Sequence, residues 1–232
     1  FTFDASRFDG EVEMNGVSAS GITISLGSGA DFSASAIMTA GTFTFNSTST
    51  SGSGETISMT QVQGSGVTIN LAAASTVTLS ASSIMTLSGD LYISGTSFNG
   101  SIQLDNISGS GTTIVSGANF LISATSVQQT DNFTFDGAAL TSATVTFVSI
   151  SASGNASMSF GSMSGDLTLG KVSSLTDIHL SAESAAGLGM TIGNLSASAI
   201  QITLGEASDT SNNFSASIID AQNFTLDASL FR

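Results

Sequence analysis

The chain has no cysteine, no proline and no tryptophan, and it carries only three basic residues, Arg7, Lys171 and Arg232, against 17 acids. Each absence removes a class of explanation. Without cysteine there are no disulfides, no thiolate metal sites and no cysteine nucleophile, and the redox compartment stays open. Proline deletes a backbone donor and is kept out of central ladder positions, so its absence fits segments that are paired on both sides. Three cations in a chain of net charge −14 cannot neutralise a run of phosphates, which excludes nucleic acid as a partner. An anionic membrane surface is disfavoured for the same reason. No run approaches the roughly 18 apolar residues of a membrane-spanning helix, and no signal-peptide pattern is present. The chain starts at Phe1 rather than at Met, which reads as a processed product or a piece of something longer.

What fills the space is Ser, Thr, Gly and apolar residues. Apolar residues make up 41% and mean hydropathy is positive, so the low charge does not signal disorder, which needs low hydrophobicity. The 232 residues suffice for a sizeable core in a single domain. An acidic, lightly charged surface suits a calcium-rich or saline exterior, and the expected location is extracellular, at a cell surface.

The stretch Phe1-Thr2-Phe3-Asp4 returns as Phe43-Thr44-Phe45-Asn46, Phe133-Thr134-Phe135-Asp136 and Phe224-Thr225-Leu226-Asp227. Triplets of this apolar-x-apolar kind recur about every 11 residues. Alternate triplets begin at 1, 22, 43, 67, 91, 112, 133, 158, 178, 200 and 224, in steps of 20 to 25 residues. That is the period of one coil of a parallel β-solenoid. Neighbouring strand residues point to opposite faces, so the flanks line a core and the centres face outward. The outward column reads Thr2, Thr23, Thr44, Thr68, Tyr92, Thr113, Thr134, Ser159, His179, Gln201, Thr225. The interleaved triplets begin at Val12, Phe32, Ile57, Val77, Ile102, Phe120, Val145, Leu167, Met190 and Phe214. Asn46 and Asn70 share a column one coil apart, which predicts an Asn ladder. Polar stretches at Ser47–Glu55 and Glu206–Asn212 are expected to protrude as loops.

The fold class expected is thus all-β: one parallel β-solenoid, or β-helix, over residues 1–232, with about ten coils and a period near 22 residues. Short strands every 8–12 residues also describe an antiparallel β-sandwich, which is the alternative. The return of column identities every 22 residues argues against it. Since Phe1 and Phe224 stand in the same phase, both ends are expected to continue into, or stack against, more of the same structure.

Catalysis has little to rest on. His179 is the one histidine, and it falls in the outward column. Polysaccharide-cleaving β-helices are similar in fold, but they combine acids with Arg or Lys on one face, which three cations cannot supply. Paired carboxylates alone could still hydrolyse glycosides. An outward Thr row also suggests ice binding, but Tyr92, His179 and Gln201 interrupt it. No catalytic residue is assigned. The best metal candidate is Glu11 and Glu13, which flank inward Val12, with Asp31 one coil away at a strand spacing of roughly 5 Å. Close carboxylates with oxygen-only donors suit calcium, and Asp9 and Glu55 are expected nearby. Eight Asn-x-Ser/Thr sequons have a structural source, because a turn Asn precedes an apolar-Thr/Ser strand at Asn132, Asn213 and Asn223.

With its Phe-Thr-Phe-Asp and Ser-Ala-Ser-x-Ile patterns and Gly-bounded strands such as Gly165-Asp-Leu-Thr-Leu-Gly170, the chain resembles the solenoid parts of bacterial surface-layer proteins and giant secreted adhesins. The resemblance implies a non-enzymatic structural role outside the cell, in a surface layer, sheath or filament, often with calcium-dependent assembly. It also implies self-association as the main partnership, with a cell-surface polysaccharide as a further candidate partner. An adhesin or glycan-binding β-helix is the second reading.

Overall fold

The computed structural model describes residues 1–27, 29–47, 54–71, 76–95, 99–117, 119–161, 163–184, 188–206 and 213–228. These residues form a parallel β-solenoid of about nine turns with a period of about 22 residues. Every strand pairing is parallel, and among the described residues there is no helix. Parallel pairs need a crossover before the next strand can join, and here each crossover is the rest of the coil.

Each coil has three walls. The first is the expected Thr column, carried by Thr2–Ala5, Ile22–Leu26, Thr42–Ser47, Gly66–Leu71, Leu91–Ser94 and their successors. Its register runs Thr2–Thr23–Thr44–Thr68–Tyr92–Thr113–Thr134, then Ser157, His179, Gln201 and Thr225. The second wall holds Val12, Phe32 and Ile57, then Leu79, Ile102, Ile122, Val145, Leu167, Met190 and Phe214. A third follows at once: Val17, Ile37, Val62, Ile84, Ile107, Val127, Ile150, Val172, Leu195 and Ile219.

Three expected positions move by two residues. The first-wall centre in its eighth coil is Ser157 rather than Ser159, and the second-wall triplets open at Leu79 and Ile122 rather than Val77 and Phe120. A slip of two keeps every side chain on its own face, so alternation alone cannot detect it. Hydrogen-bond register and corner length decide it.

Between the second and third walls two consecutive residues turn outward, for example Thr60-Gln61 and Asp105-Asn106, and the alternation resumes one residue out of phase. This makes the corner without breaking the ladder, which is why the two walls form single strands at Glu55–Gly64, Asn99–Gly109 and Ser142–Ala152. At the corner that ends the first wall, the Asp of Phe-Thr-Phe-Asp caps the turn. Asp4 Oδ1 accepts from the Ser6 amide at 2.9 Å, and Asp136 Oδ1 from the Ala138 amide at 3.1 Å.

The core is one continuous column of aliphatic and Phe side chains from Val12 to Leu204. Phe rings bridge the walls. Phe135 lies 5.6 Å from Phe147 and 5.4 Å from Phe160, and Phe32 lies 5.3 Å from Phe45. Each fully buried Phe contributes about 1.5–3 kcal/mol of transfer free energy. The Asn ladder is present, with Asn70 Nδ2 donating to Asn46 Oδ1 at 2.8 Å. The expected loops lie mostly outside the described residues. Ser47 and Glu55, taken as loop ends, are instead buried strand residues.

Candidate functional site

The acidic edge begins on the second wall. Glu11 and Glu13 are exposed on either side of buried Val12, and Asp31 pairs directly with Glu11 on the next coil. Glu13 faces Ser33, so it sits on the same face two residues along, roughly 7 Å from Glu11. Asp31 Oδ1 accepts the Thr56 amide at 2.8 Å. Glu55 is turned inward, where Oε1 accepts the Gly29 amide at 2.6 Å and Oε2 the Ser47 hydroxyl at 3.5 Å. Asp9 lies against Gly29, where an added Cβ would come within 3.9 Å of the Asp9 Cβ. Glu11 and Glu13 line a shallow recess of about 400 Å³ with Phe3 and Phe8. The pair Glu11–Asp31 is therefore brought together, while Glu55 belongs to a buried turn. Among the described residues no three His, Cys, Asp or Glu side chains converge closely enough to hold a metal ion.

His179 is exposed on the first wall, next to Ser157 and Gln201 in its column. The recess around it, about 220 Å³, is lined by Ser, Thr, Gln, Met and Leu, with no carboxylate.

The third wall was missed in the sequence because its strands place a single large apolar residue inward, followed at the next inward position by Gly, Ala, Ser, Thr or Gln, so no regular apolar-x-apolar triplet marks it. A signal existed. An Ile, Val or Leu stands five residues after the opening residue of each second-wall triplet: Val12 and Val17, Phe32 and Ile37, Ile102 and Ile107, through Phe214 and Ile219.

Two residues beyond that apolar position, a second inward column runs along the corner joining the third wall to the first. It reads Gly64, Thr86, Gly109, Gln129, Ala152, Ser174 on successive coils, with Thr39 before it. Two of its polar members are satisfied. Thr39 Oγ1 accepts the Gly41 amide at 3.1 Å, and Ser174 Oγ donates to the Gly154 carbonyl at 2.6 Å. Thr86 and Gln129, each 5% exposed, are not: Thr86 Oγ1 and both amide atoms of Gln129 lack a protein partner. They flank Gly109, whose backbone approaches so closely that an added Cβ would sit 1.8 Å from Thr86 Oγ1. Outside this point is a recess of about 500 Å³, lined by Thr86, Gly109 and Gln129 and by surface residues including Ser108 and Gln128.

The arrangement defines a class of architecture, the parallel β-solenoid with a polar seam along one corner. No protein-family model, curated protein or solved structure significantly matches the chain.

Proposed function

We propose that this chain is a non-enzymatic structural protein of the cell exterior, a component of a surface layer, sheath or filament that assembles through stacked β-coils. The observation that carries this reading is the uninterrupted parallel stacking of about nine coils over one continuous apolar core. Repeat arrays of this kind stabilise each coil through its neighbours and expose strand edges that can pair with further coils. The unbroken core supplies stiffness, and Ser/Thr faces supply lateral contacts.

Negative-stain electron microscopy with analytical ultracentrifugation tests the reading. Rods joined end to end, or sheets of them, are the expected result. A monomer at all concentrations that turns over a glycan overturns it. Calcium enters this reading at Glu11 and Asp31, with Glu13 on the same face, supported by the direct register of the first two. Calcium titration of the wild type and of Glu11→Gln checks this part: weaker binding by the variant is expected, and equal affinity removes calcium from the account.

A further inference from the structure

Asparagine followed by glycine occurs twice in the chain, at Asn15-Gly16 and at Asn99-Gly100. The dipeptide carries a latent reaction. A backbone amide nitrogen with no Cβ beside it can reach the side-chain carbonyl of the preceding asparagine and close a five-membered ring. Whether it does so depends on what holds that amide, and the solenoid treats the two copies in opposite ways.

Asn15 and Gly16 are the two outward residues at the corner between the second and third walls of their coil, and both are exposed. On either side the chain is pinned to the next coil. The Ser35 amide donates to the Met14 carbonyl at 3.1 Å, the Ser35 hydroxyl donates to the Asn15 carbonyl, and the Val17 amide donates to the Ala36 carbonyl at 2.9 Å. Between these bonds the Gly16 amide has no hydrogen-bond partner among the described residues, and neither has the Asn15 side chain. A Cβ built on Gly16 would meet nothing within 4 Å, so the space around it is open. An exposed side chain changes rotamer within picoseconds to nanoseconds, far faster than such a ring closes.

Asn99 is exposed too, but it opens the strand Asn99–Gly109, and Gly100 lies in register between Val77 and Phe120. A strand paired on both sides holds its amides in the ladder, along the sheet, while its side chains stand off the sheet. The nucleophile is thereby kept away from the carbonyl it would attack.

We propose that Asn15 is a site of spontaneous deamidation, selected over Asn99 by the fold. Hydroxide takes the Gly16 amide proton and the nitrogen attacks Asn15 Cγ. The new N–Cγ bond closes a succinimide, and the Cγ–Nδ2 bond breaks, its nitrogen taking a proton from water to leave as ammonia. Water then opens the ring. Cleavage of the N–Cγ bond leaves aspartate at position 15. Cleavage between the same nitrogen and the main-chain carbonyl carbon leaves isoaspartate, with one extra carbon in the backbone. Either product adds one negative charge to a chain of net charge −14, two residues from Glu13 on the acidic edge. Isoaspartate also lengthens a corner whose two ends are pinned, and so loosens the stacking of this coil on the next. The inference rests on neither the assembly nor the calcium reading.

The test incubates the whole folded chain in mildly alkaline buffer, with a parallel sample unfolded in guanidinium chloride, and maps both over time by mass spectrometry after chymotryptic digestion. Deamidation raises the mass of a peptide by about 1 Da. In the folded chain Asn15 should react about tenfold or more faster than Asn99, a barrier difference of about 1.4 kcal/mol. Unfolding should bring the two rates together. Isoaspartate at position 15 should be labelled by protein isoaspartyl methyltransferase. Gly16→Ala, which the open corner accommodates, should keep the melting temperature of the wild type and slow the reaction about tenfold. Asn15→Gln should abolish it, and carries the control if Gly16→Ala does not fold. Equal rates at the two asparagines in the folded chain overturn the proposal, as does an Asn15 that stays intact while the unfolded chain converts at both positions. So does a ratio of rates that unfolding leaves unchanged, or a folded Gly16→Ala variant that deamidates as fast as the wild type.

Discussion

Two inward columns of the same coils behave in opposite ways. On the first wall, the column through Ile24, Phe45, Ile69, Ile93, Ile114, Phe135, Met158, Leu180 and Ile202 is apolar at every coil and almost wholly buried. The corner column through Thr39, Thr86, Gln129 and Ser174 is equally buried but polar at alternate coils. The difference follows from what the backbone offers. In mid-wall, every amide and carbonyl is used by the ladder, so an inward polar group would have no partner and would cost its desolvation. At a corner the chain leaves the ladder, and free backbone groups such as the Gly41 amide and the Gly154 carbonyl can serve a hydroxyl. Thr39 and Ser174 use this opening; Thr86 and Gln129 do not. A buried polar residue in a solenoid is thus cheap at a corner where a backbone group meets it and costly elsewhere, as at inward Thr112 on the first wall, whose buried hydroxyl lacks a protein partner.

The largest effect should come from breaking the mid-wall column. Phe135→Ala removes a ring that contacts both Phe147 and Phe160, and should cost about 3–5 kcal/mol by denaturant unfolding. A loss under about 1 kcal/mol would mean the stacked rings are not a tightly packed core. Next comes backbone crowding at the corner between the second and third walls, where a Cβ at Gly193 would meet the Gly170 carbonyl at 2.0 Å. Gly193→Ala should destabilise by about 1–3 kcal/mol, because a carbonyl in a ladder cannot move aside as a side chain can. An unchanged melting curve would show that the coils are looser there than the spacing implies.

The corner column should respond with the opposite sign. Gln129→Leu exchanges an unpaired amide for an apolar group of similar size and should stabilise by about 1 kcal/mol. Destabilisation of that size would place Gln129 with Thr39 and Ser174, among groups whose partners hold the fold. Smaller again is the half-buried Asn46–Asn70 ladder. Asn70→Ala should cost about 0.5–1.5 kcal/mol, and Asn46→Ala the same within error, since either removes one shared bond.

Much of this architecture is legible in the sequence, and the reasons are physical. Period 2 within a strand and period 22 between coils are both imposed by stacking, so Thr23, Thr44 and Thr68 announce their column directly. The same alternation hides a slip of two, which is why Leu79 and Ile122 had to come from register. The third wall escaped because Val62, Ile107 and Val127 stand alone between polar neighbours, and only their constant offset from the second wall betrays them. The acidic edge was readable as a column, since Glu11 and Asp31 lie one coil apart. Glu55 was not, because its inward turn depends on the Gly29 amide, a contact no spacing encodes.

The smallest effect concerns how corners are capped from outside. Asp4 accepts hydrogen bonds from the side chain and the amide of Ser6, and these hold its carboxyl below the ordinary aspartate value. The folded state therefore favours the ionised form. The linked stability is fully present above the ordinary aspartate pKa and is lost as pH falls through the lowered folded value. Because Asp4 is fully exposed, the contribution is slight and screened by salt. The melting temperature of Asp4→Ala should lie a little below that of the wild type at neutral pH, and the gap should close in strong acid. A gap that persists unchanged into acid would mean that the carboxylate's charge does nothing at this corner. The outer corners would then resemble the mid-walls, held by the ladder alone, and side-chain help would be confined to the inward seam at Thr39 and Ser174.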